Sequence, residues 1–450
     1  MKIRRILSVF LLCVLLWGLF GIPRAYALDD PDIQAKAALL VDADSGLLLY
    51  GKDERSVQYP ASITKVMVAL LVLEAVDRGE LRMDQPITAT ATALADLTAD
   101  SSTADIKVGE VLTVEQLLYC MLVVSANETG NILAEAVDGS KEAFVEHMNR
   151  RAAELGCENT HFVNTSGLHN PSHYTSARDI YLFTREAMKH EAFLTICGSK
   201  SYTVPATNIS PERELHSTNG LISNWRYLGY LYDGAFGIKT GTTEEAGKCL
   251  VAGARRGDRT LISVILGAGS SEDGKNMSFT ETSRLFDWGF DSFAPLTVLR
   301  AEQLYGVSVT LSKETDTVMA HPEKDTQAIL PKDLDPETDL IYTLDLPESV
   351  EAPISAGDVL GHITVSYNGH DYATVPLLAI SDVSASGFLV GKNAVLSFFS
   401  LTYVKVGLIL LVIAVALFLF WWHTVRPRRR YGRNRRRSGG GSYRGRGRRR

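Results

Sequence analysis

Two short apolar runs near the start of the chain, 37–42 and 47–51, flank Asp44-Ser45-Gly46, a pattern that predicts a β-hairpin. Residues 62–78 are apolar with a helical period and stop before Gly79. A second, strongly apolar and mostly helical stretch covers 113–137, and 141–155 and 177–189 also read as helices. After Gly234 the period changes. Runs at 235–239, 248–254 and 261–266 are short and separated by turn residues, so they predict consecutive antiparallel strands, and 279–290 returns to helix. Strands at both ends of this region with helices between them predict an α+β domain, an antiparallel sheet flanked by helices. From about residue 298 to 380 the texture changes again: short alternating segments such as 306–311, 338–344 and 362–367 are divided by Pro, Gly and Asp, which predicts a separate small all-β domain.

The two ends of the chain behave differently. Lys2, Arg4 and Arg5 precede an uncharged apolar run from Ile6 to Phe20, and Ala25-Tyr26-Ala27 is a small-x-small cleavage site, so residues 1–27 read as a secretory signal peptide. Near the other end Val406 to Trp422 is uninterrupted apolar sequence, with Lys405 placed to snorkel and Trp421 and Trp422 placed for an interfacial belt. The expected layout is a signal peptide at 1–27, a catalytic domain at 28–297, a β-domain at 298–385, a linker at 386–403, one transmembrane helix at 404–422 and a basic, disordered tail at 423–450.

Charge fixes the expected orientation. The overall net charge of −6 hides an asymmetry, because all 52 Asp and Glu but only 28 of the 46 Lys and Arg fall in residues 28–404, which carry a net charge of −24. Thirteen arginines follow from Arg426 onward. Positive residues flanking a span stay on the cytoplasmic side, so the acidic body is expected outside the cell membrane and the tail inside. The tail is expected to touch anionic lipid, and nucleic acid is not expected as its partner.

Cys120, Cys157, Cys197 and Cys249 match no disulfide framework, and Cys120 and Cys249 sit in apolar runs as small core residues. His161, His169 and His173 share a loop and read as polar surface rather than a metal site. There is no HExxH or paired CxxC.

Three polar clusters interrupt the apolar pattern. Ser62-Ile63-Thr64-Lys65 opens the first strong helix. Ser62 reads as an N-cap, but a capping box would want Glu or Gln at position 65, and a cation in the first turn opposes the macrodipole. One helical turn puts Ser62 and Lys65 on one face, where a desolvated, neutral Lys65 could take the serine proton. Ser125-Ala126-Asn127 follows the apolar helix ending near Val124 and by itself is a polar break. Lys239-Thr240-Gly241 closes a predicted strand; there an extended peptide could pair with the backbone, Gly241 has no side chain to block it, and Lys239 and Thr240 could hold a carboxylate.

In this order and on these elements, SxxK, SxN and KTG form the motif set of the active-site-serine penicillin-binding proteins and β-lactamases. The chain resembles the low-molecular-mass D-alanyl-D-alanine carboxypeptidases in particular, over about residues 30–385, with 164–168, 175–179 and 216–221 similar to the segments between the motifs. The resemblance implies that Ser62 is the acylated nucleophile and Lys65 its base. Ser125 would relay a proton to the departing amine, Asn127 would hold the substrate backbone, Lys239 would set the potential beside Ser125, and Thr240 would bind the terminal carboxylate. The backbone N–H groups of Ser62 and Thr242 would form the oxyanion hole. The implied substrate is a peptidoglycan stem peptide ending in D-Ala-D-Ala, with β-lactams as inhibitors, and the resemblance implies no metal or organic cofactor.

Three departures stand out: Ala126 replaces a frequent Gly; 269–279 lacks the Arg that some relatives use for the carboxylate, leaving Lys275 as a substitute without the guanidinium fork; and the chain is expected to span the membrane where relatives often attach through an amphipathic helix. A β-lactamase would need a placed deacylating base, for which Glu212-Arg213-Glu214-Leu215-His216 offers only a partial match, His216 standing where Asn is expected. A non-enzymatic β-lactam or cell-wall sensor would need an output domain, which a tail of Arg and Gly with no apolar core does not form.

Overall fold

A computed structural model describes residues 28–98 and 101–425, so the expected signal peptide and nearly all of the expected basic tail lie outside the described residues. Two compact units emerge. The first runs to Val298 and also takes in Gln327–Leu340; the second holds Leu299–Thr326 and the chain from Ile341 onward.

In the first unit the predicted hairpin is β1 (Ala37–Asp42) and β2 (Leu48–Lys52). Helices α1 (Lys65–Asp77), α2 (Val114–Val123), α3 (Asn127–Asp138), α4 (Lys141–Glu154), α5 (Ala177–Ala187) and α6 (Glu191–Cys197) follow. Strands β3 (Ala235–Thr243), β4 (Gly247–Arg256) and β5 (Arg259–Ala268) and helix α7 (Met277–Ser292) complete the unit's main frame. The strands form one antiparallel sheet in the order β2-β1-β5-β4-β3, in which Leu39 faces Val264 across the ladder. The strands are apolar nearly throughout because both faces are covered, and alternate residues serve different cores. Leu39, Val41, Ile262 and Val264 join the helical lobe, whereas Ala38, Leu40, Leu261 and Ile265 pack with Phe279, Leu285 and Phe286 of α7.

Helix α1 runs through the middle of the larger core. Its residues from Lys65 to Leu73 are all buried, which explains an apolar pattern with no polar face. Helix α2 starts on a reciprocal capping box between Thr113 and Gln116. It stops at Val124, because Ser125 adopts a left-handed backbone (φ 68°) that no helix continues.

In the second unit six strands form a sheet in the order 341–345, 359–367, 370–379, 317–322, 305–310 and 349–351, the last pair parallel. The stretch expected as a linker holds a helix, Gly387–Ser400, whose N-terminus is capped by the Ser386 side chain. The apolar helix Thr402–Val425 follows and is the one helix among the described residues long and apolar enough to cross a membrane. Its 23-residue apolar window is about 35 Å long, enough for the hydrocarbon core. This helix is the chain's C-terminal membrane anchor and the single span among the described residues. Three small features had no counterpart in the predicted pattern: α6, the hairpin of Pro86–Thr88 with Val111–Thr113, and that of Ser201–Val204 with Arg213–His216.

Candidate active site

The segment around Ser62 departs from a simple helix start. Ser62 is not an N-cap; it sits within a 3-10 turn, Ala61–Thr64, that has no side-chain cap and leads into α1 at Lys65. Ala61 has a left-handed backbone (φ 48°), a conformation that costs a non-glycine residue about 1 kcal/mol or more. Ser62 is half-buried and Lys65 wholly buried, on one face of the turn.

Three groups surround the Lys65 amine: Ser62 Oγ at 2.9 Å, Ser125 Oγ at 3.3 Å and Asn127 Oδ1 at 2.6 Å. The break between α2 and α3 supplies the last two. A neutral amine fits this arrangement, with its two N–H bonds going to Asn127 and Ser125 and its lone pair facing the Ser62 hydroxyl. Burial holds the Lys65 pKa well below its ordinary range, the field of Lys239 lowers it further, and Glu128 partly opposes both. Glu128 itself tethers the neighbouring loop, accepting from Thr103 Oγ1 (2.7 Å) and the Ala104 N–H (2.8 Å). The Asn127 N–H donates to Ser102 O (2.8 Å), and Ser102 lines the cavity.

Strand β3 lies at the edge of the sheet, so its outer side is unpaired by other strands. Lys239 is buried, its amine donates to Thr240 O (2.9 Å), and burial, then the field of Arg226, pushes its pKa down to about 7. The hydroxyl of Thr240 lies 2.7 Å from that of Thr218. Gly241 is required for a reason other than substrate access. A Cβ there would lie 2.8 Å from Pro60 O and 3.1 Å from Ser62 N, so the strand end abuts the turn that carries Ser62. Thr242 is exposed and lines the same cavity, beside Ser62 and Ser125.

Two expectations are corrected. His173 is buried, not polar surface. Its Nδ1 accepts from the Val163 N–H (3.1 Å), which places the neutral ring's proton on Nε2. Nε2–H donates to Thr64 Oγ1 (2.8 Å), whose hydroxyl donates to Ala61 O (2.9 Å), so the ring braces the left-handed turn before Ser62. Gly167 closes on the same turn, where an added Cβ would lie 1.8 Å from Ala61 O. Lys275 is exposed and paired with Asp273 (2.8 Å) outside the cavity lining. The four cysteines are free.

Of the eight residues singled out from sequence, Ser62, Ser125, Thr240, Gly241 and Thr242 line one cavity, Lys65 and Asn127 are hydrogen-bonded to each other beside it, and Lys239 is buried next to Thr240. Thr218, Arg226, Asn276 and Ser278 also line the cavity and were not among them. No carboxylate lines it among the described residues: Glu214 is exposed on the hairpin strand Arg213–His216, and Arg213 is paired with buried Glu110.

Known proteins share this architecture. The profile of the D-alanyl-D-alanine carboxypeptidase family matches residues 24–270, and that of the penicillin-binding protein 5 C-terminal domain matches residues 293–385. The chain is 30% identical over 392 residues to D-alanyl-D-alanine carboxypeptidase DacF of Bacillus subtilis, covering 86% of this chain and 96% of the relative. The crystal structure of penicillin-binding protein 5 from Haemophilus influenzae superposes with a TM-score of 0.62 at 28% identity, over 80% of this chain and all of that one. The Streptomyces K15 DD-transpeptidase, at 30% identity and a TM-score of 0.53, covers 58% of this chain and 99% of its own. With the first profile spanning more than half of the sequence and carrying all three motifs, the chain belongs to the D-alanyl-D-alanine carboxypeptidase family of serine peptidases.

Proposed function

We propose that this membrane-anchored enzyme removes the terminal D-alanine from peptidoglycan stem peptides through an acyl-enzyme on Ser62. The observation that carries the reading is the meeting of Ser62, Ser125 and Asn127 around one buried amine in a cavity without a carboxylate. Neutral Lys65 takes the Ser62 proton as Oγ attacks the carbonyl of the penultimate D-alanine. The N–H groups of Ser62 and Thr242 receive the developing oxyanion. Ser125 passes the proton to the amine of the leaving D-alanine, Asn127 and the β3 edge hold the substrate backbone, and Lys239 and Thr240 face its carboxylate. Water then cleaves the ester and frees Ser62.

A β-lactam enters by the same attack, but its opened ring stays attached to the acyl group. Without a carboxylate to activate water on that adduct, the ester persists and the drug inhibits. The test is mass spectrometry of the full chain in detergent with penicillin, beside assay of D-alanine release from a peptide ending in D-Ala-D-Ala. A long-lived adduct on Ser62, absent in Ser62→Ala, together with D-alanine release supports the reading. Penicillin turnover much faster than peptide cleavage would make the protein a β-lactamase instead.

A further inference from the structure

The substrate ends in a carboxylate, and the cation that meets it decides whether the enzyme acts as an exopeptidase. The motif lysine is a poor sole candidate. Lys239 is enclosed, its amine is committed to Thr240 O at 2.9 Å, and with its pKa near 7 it is only partly charged at neutral pH. Lys275 is engaged by Asp273.

Arg226 differs from both. It lies on the loop between Gly220 and Gly234, and it is the one cationic side chain among the residues lining the cavity, with Thr218, Thr240 and Thr242. Among the described residues it forms no ion pair, although the body of the protein carries far more acidic than basic groups. Its guanidinium sits 6.0 Å from the centroid of the Tyr227 ring, which packs on Phe279 at 5.4 Å, and both rings line the cavity. A guanidinium remains charged at every working pH and presents a planar fork that fits a carboxylate.

We propose that Arg226 binds the C-terminal carboxylate of the peptide, so that the loop before β3 supplies this enzyme's specificity for a free chain end. The proposal rests on the carboxypeptidase reading above. Arg226 and the hydroxyls of Thr218 and Thr240 together form a site for one carboxylate on the leaving D-alanine, while the chemistry stays with Ser62 and Lys65.

The experiment compares the full chain with Arg226→Gln and Arg226→Lys on two peptides, one ending in D-Ala-D-Ala and the other in its C-terminal carboxamide. Loss of a charge-assisted pair predicts that Arg226→Gln raises KM for the free acid about 10- to 100-fold with kcat little changed. Its activity on the carboxamide should match that of the parent, and Arg226→Lys should fall between. Equal losses on both peptides, or an unchanged KM for the acid, would overturn the assignment while leaving the carboxypeptidase reading in place. Failure of the parent chain to release D-alanine from the acid would overturn both. Arg226 is exposed, so an unchanged thermal melt is expected and separates binding from folding.

Discussion

Lys65 and Lys239 are among the largest fully buried side chains, a placement normally reserved for leucine and phenylalanine. On the proposed mechanism Lys65 is the base, and its lowered pKa means that acylation of Ser62 should rise with pH as Lys65 loses its proton. Lys65→Arg fixes a permanent cation where the neutral amine sits and removes the base; adduct formation, read by rapid mixing with penicillin, should fall by about 10²–10⁴-fold, and the buried charge should lower the thermal melt. The same burial opposes stability. The unfolded chain binds the Lys65 proton more tightly, so stability grows as pH rises toward 10.5, and Lys65→Met should melt higher than the parent at neutral pH, with a gain that shrinks at alkaline pH.

His173 titrates in another window. Burial lowers its pKa from 6.5 to about 4, so its contribution is complete above 6.5 and is lost as pH falls through 4, about 3 kcal/mol in all. His173→Phe should lower both the melting temperature and the rate of Ser62 acylation, with His173→Gln partly restoring the bond to Thr64. A Phe variant with parental acylation would show that the brace has no part in catalysis. The motif residues were legible in the sequence because their chemistry is local and their order distinctive. His173, Thr218 and Arg226 were not, because only folding brings them against Ala61, Thr240 and the cavity.

Among the elements, legibility followed length. Helix α1 and strands β3 to β5 were visible because long apolar runs leave few alternatives. The three-residue strand pair at 86–88 and 111–113 carries too few residues to establish a period. Gly387–Ser400 was read as linker because its side chains pack on no core; Phe388, Leu396 and Phe398 are exposed, and a glycine interrupts it at Gly391. The contact between the β3 end and the nucleophile's turn was also invisible, since sequence shows that Gly241 lacks a side chain but not what occupies its place. Gly241→Ala should push the turn from the strand, cost about 1–3 kcal/mol of stability and slow acylation by up to about 10²-fold. A variant with parental melting and acylation rates would show that the turn can yield at no cost.

On the scale of the whole molecule, an acidic catalytic unit, a six-stranded β-unit and one apolar helix are strung on a single chain. External protease added to intact spheroplasts should digest residues 28–404 and spare an epitope fused after Arg450; the reverse pattern would invert the orientation. The closing of the sheet also imposes an order on biogenesis. Strand β1 is made early, yet its ladder partner β5 lies beyond every helix of the lobe and beyond β3 and β4. Until β5 arrives, β1 offers a bare strand edge, and such non-local pairing is slow and prone to aggregation. Ser62 and Lys65 are made early, whereas the end of β3 that abuts the Ser62 turn follows only after helices α1 to α6 of the lobe. A chain cut short before β3 should therefore form no penicillin adduct on Ser62, and the protein should become a target for the drug only once its catalytic unit is nearly complete; an adduct on such a truncated chain would show that β3 is dispensable for acylation.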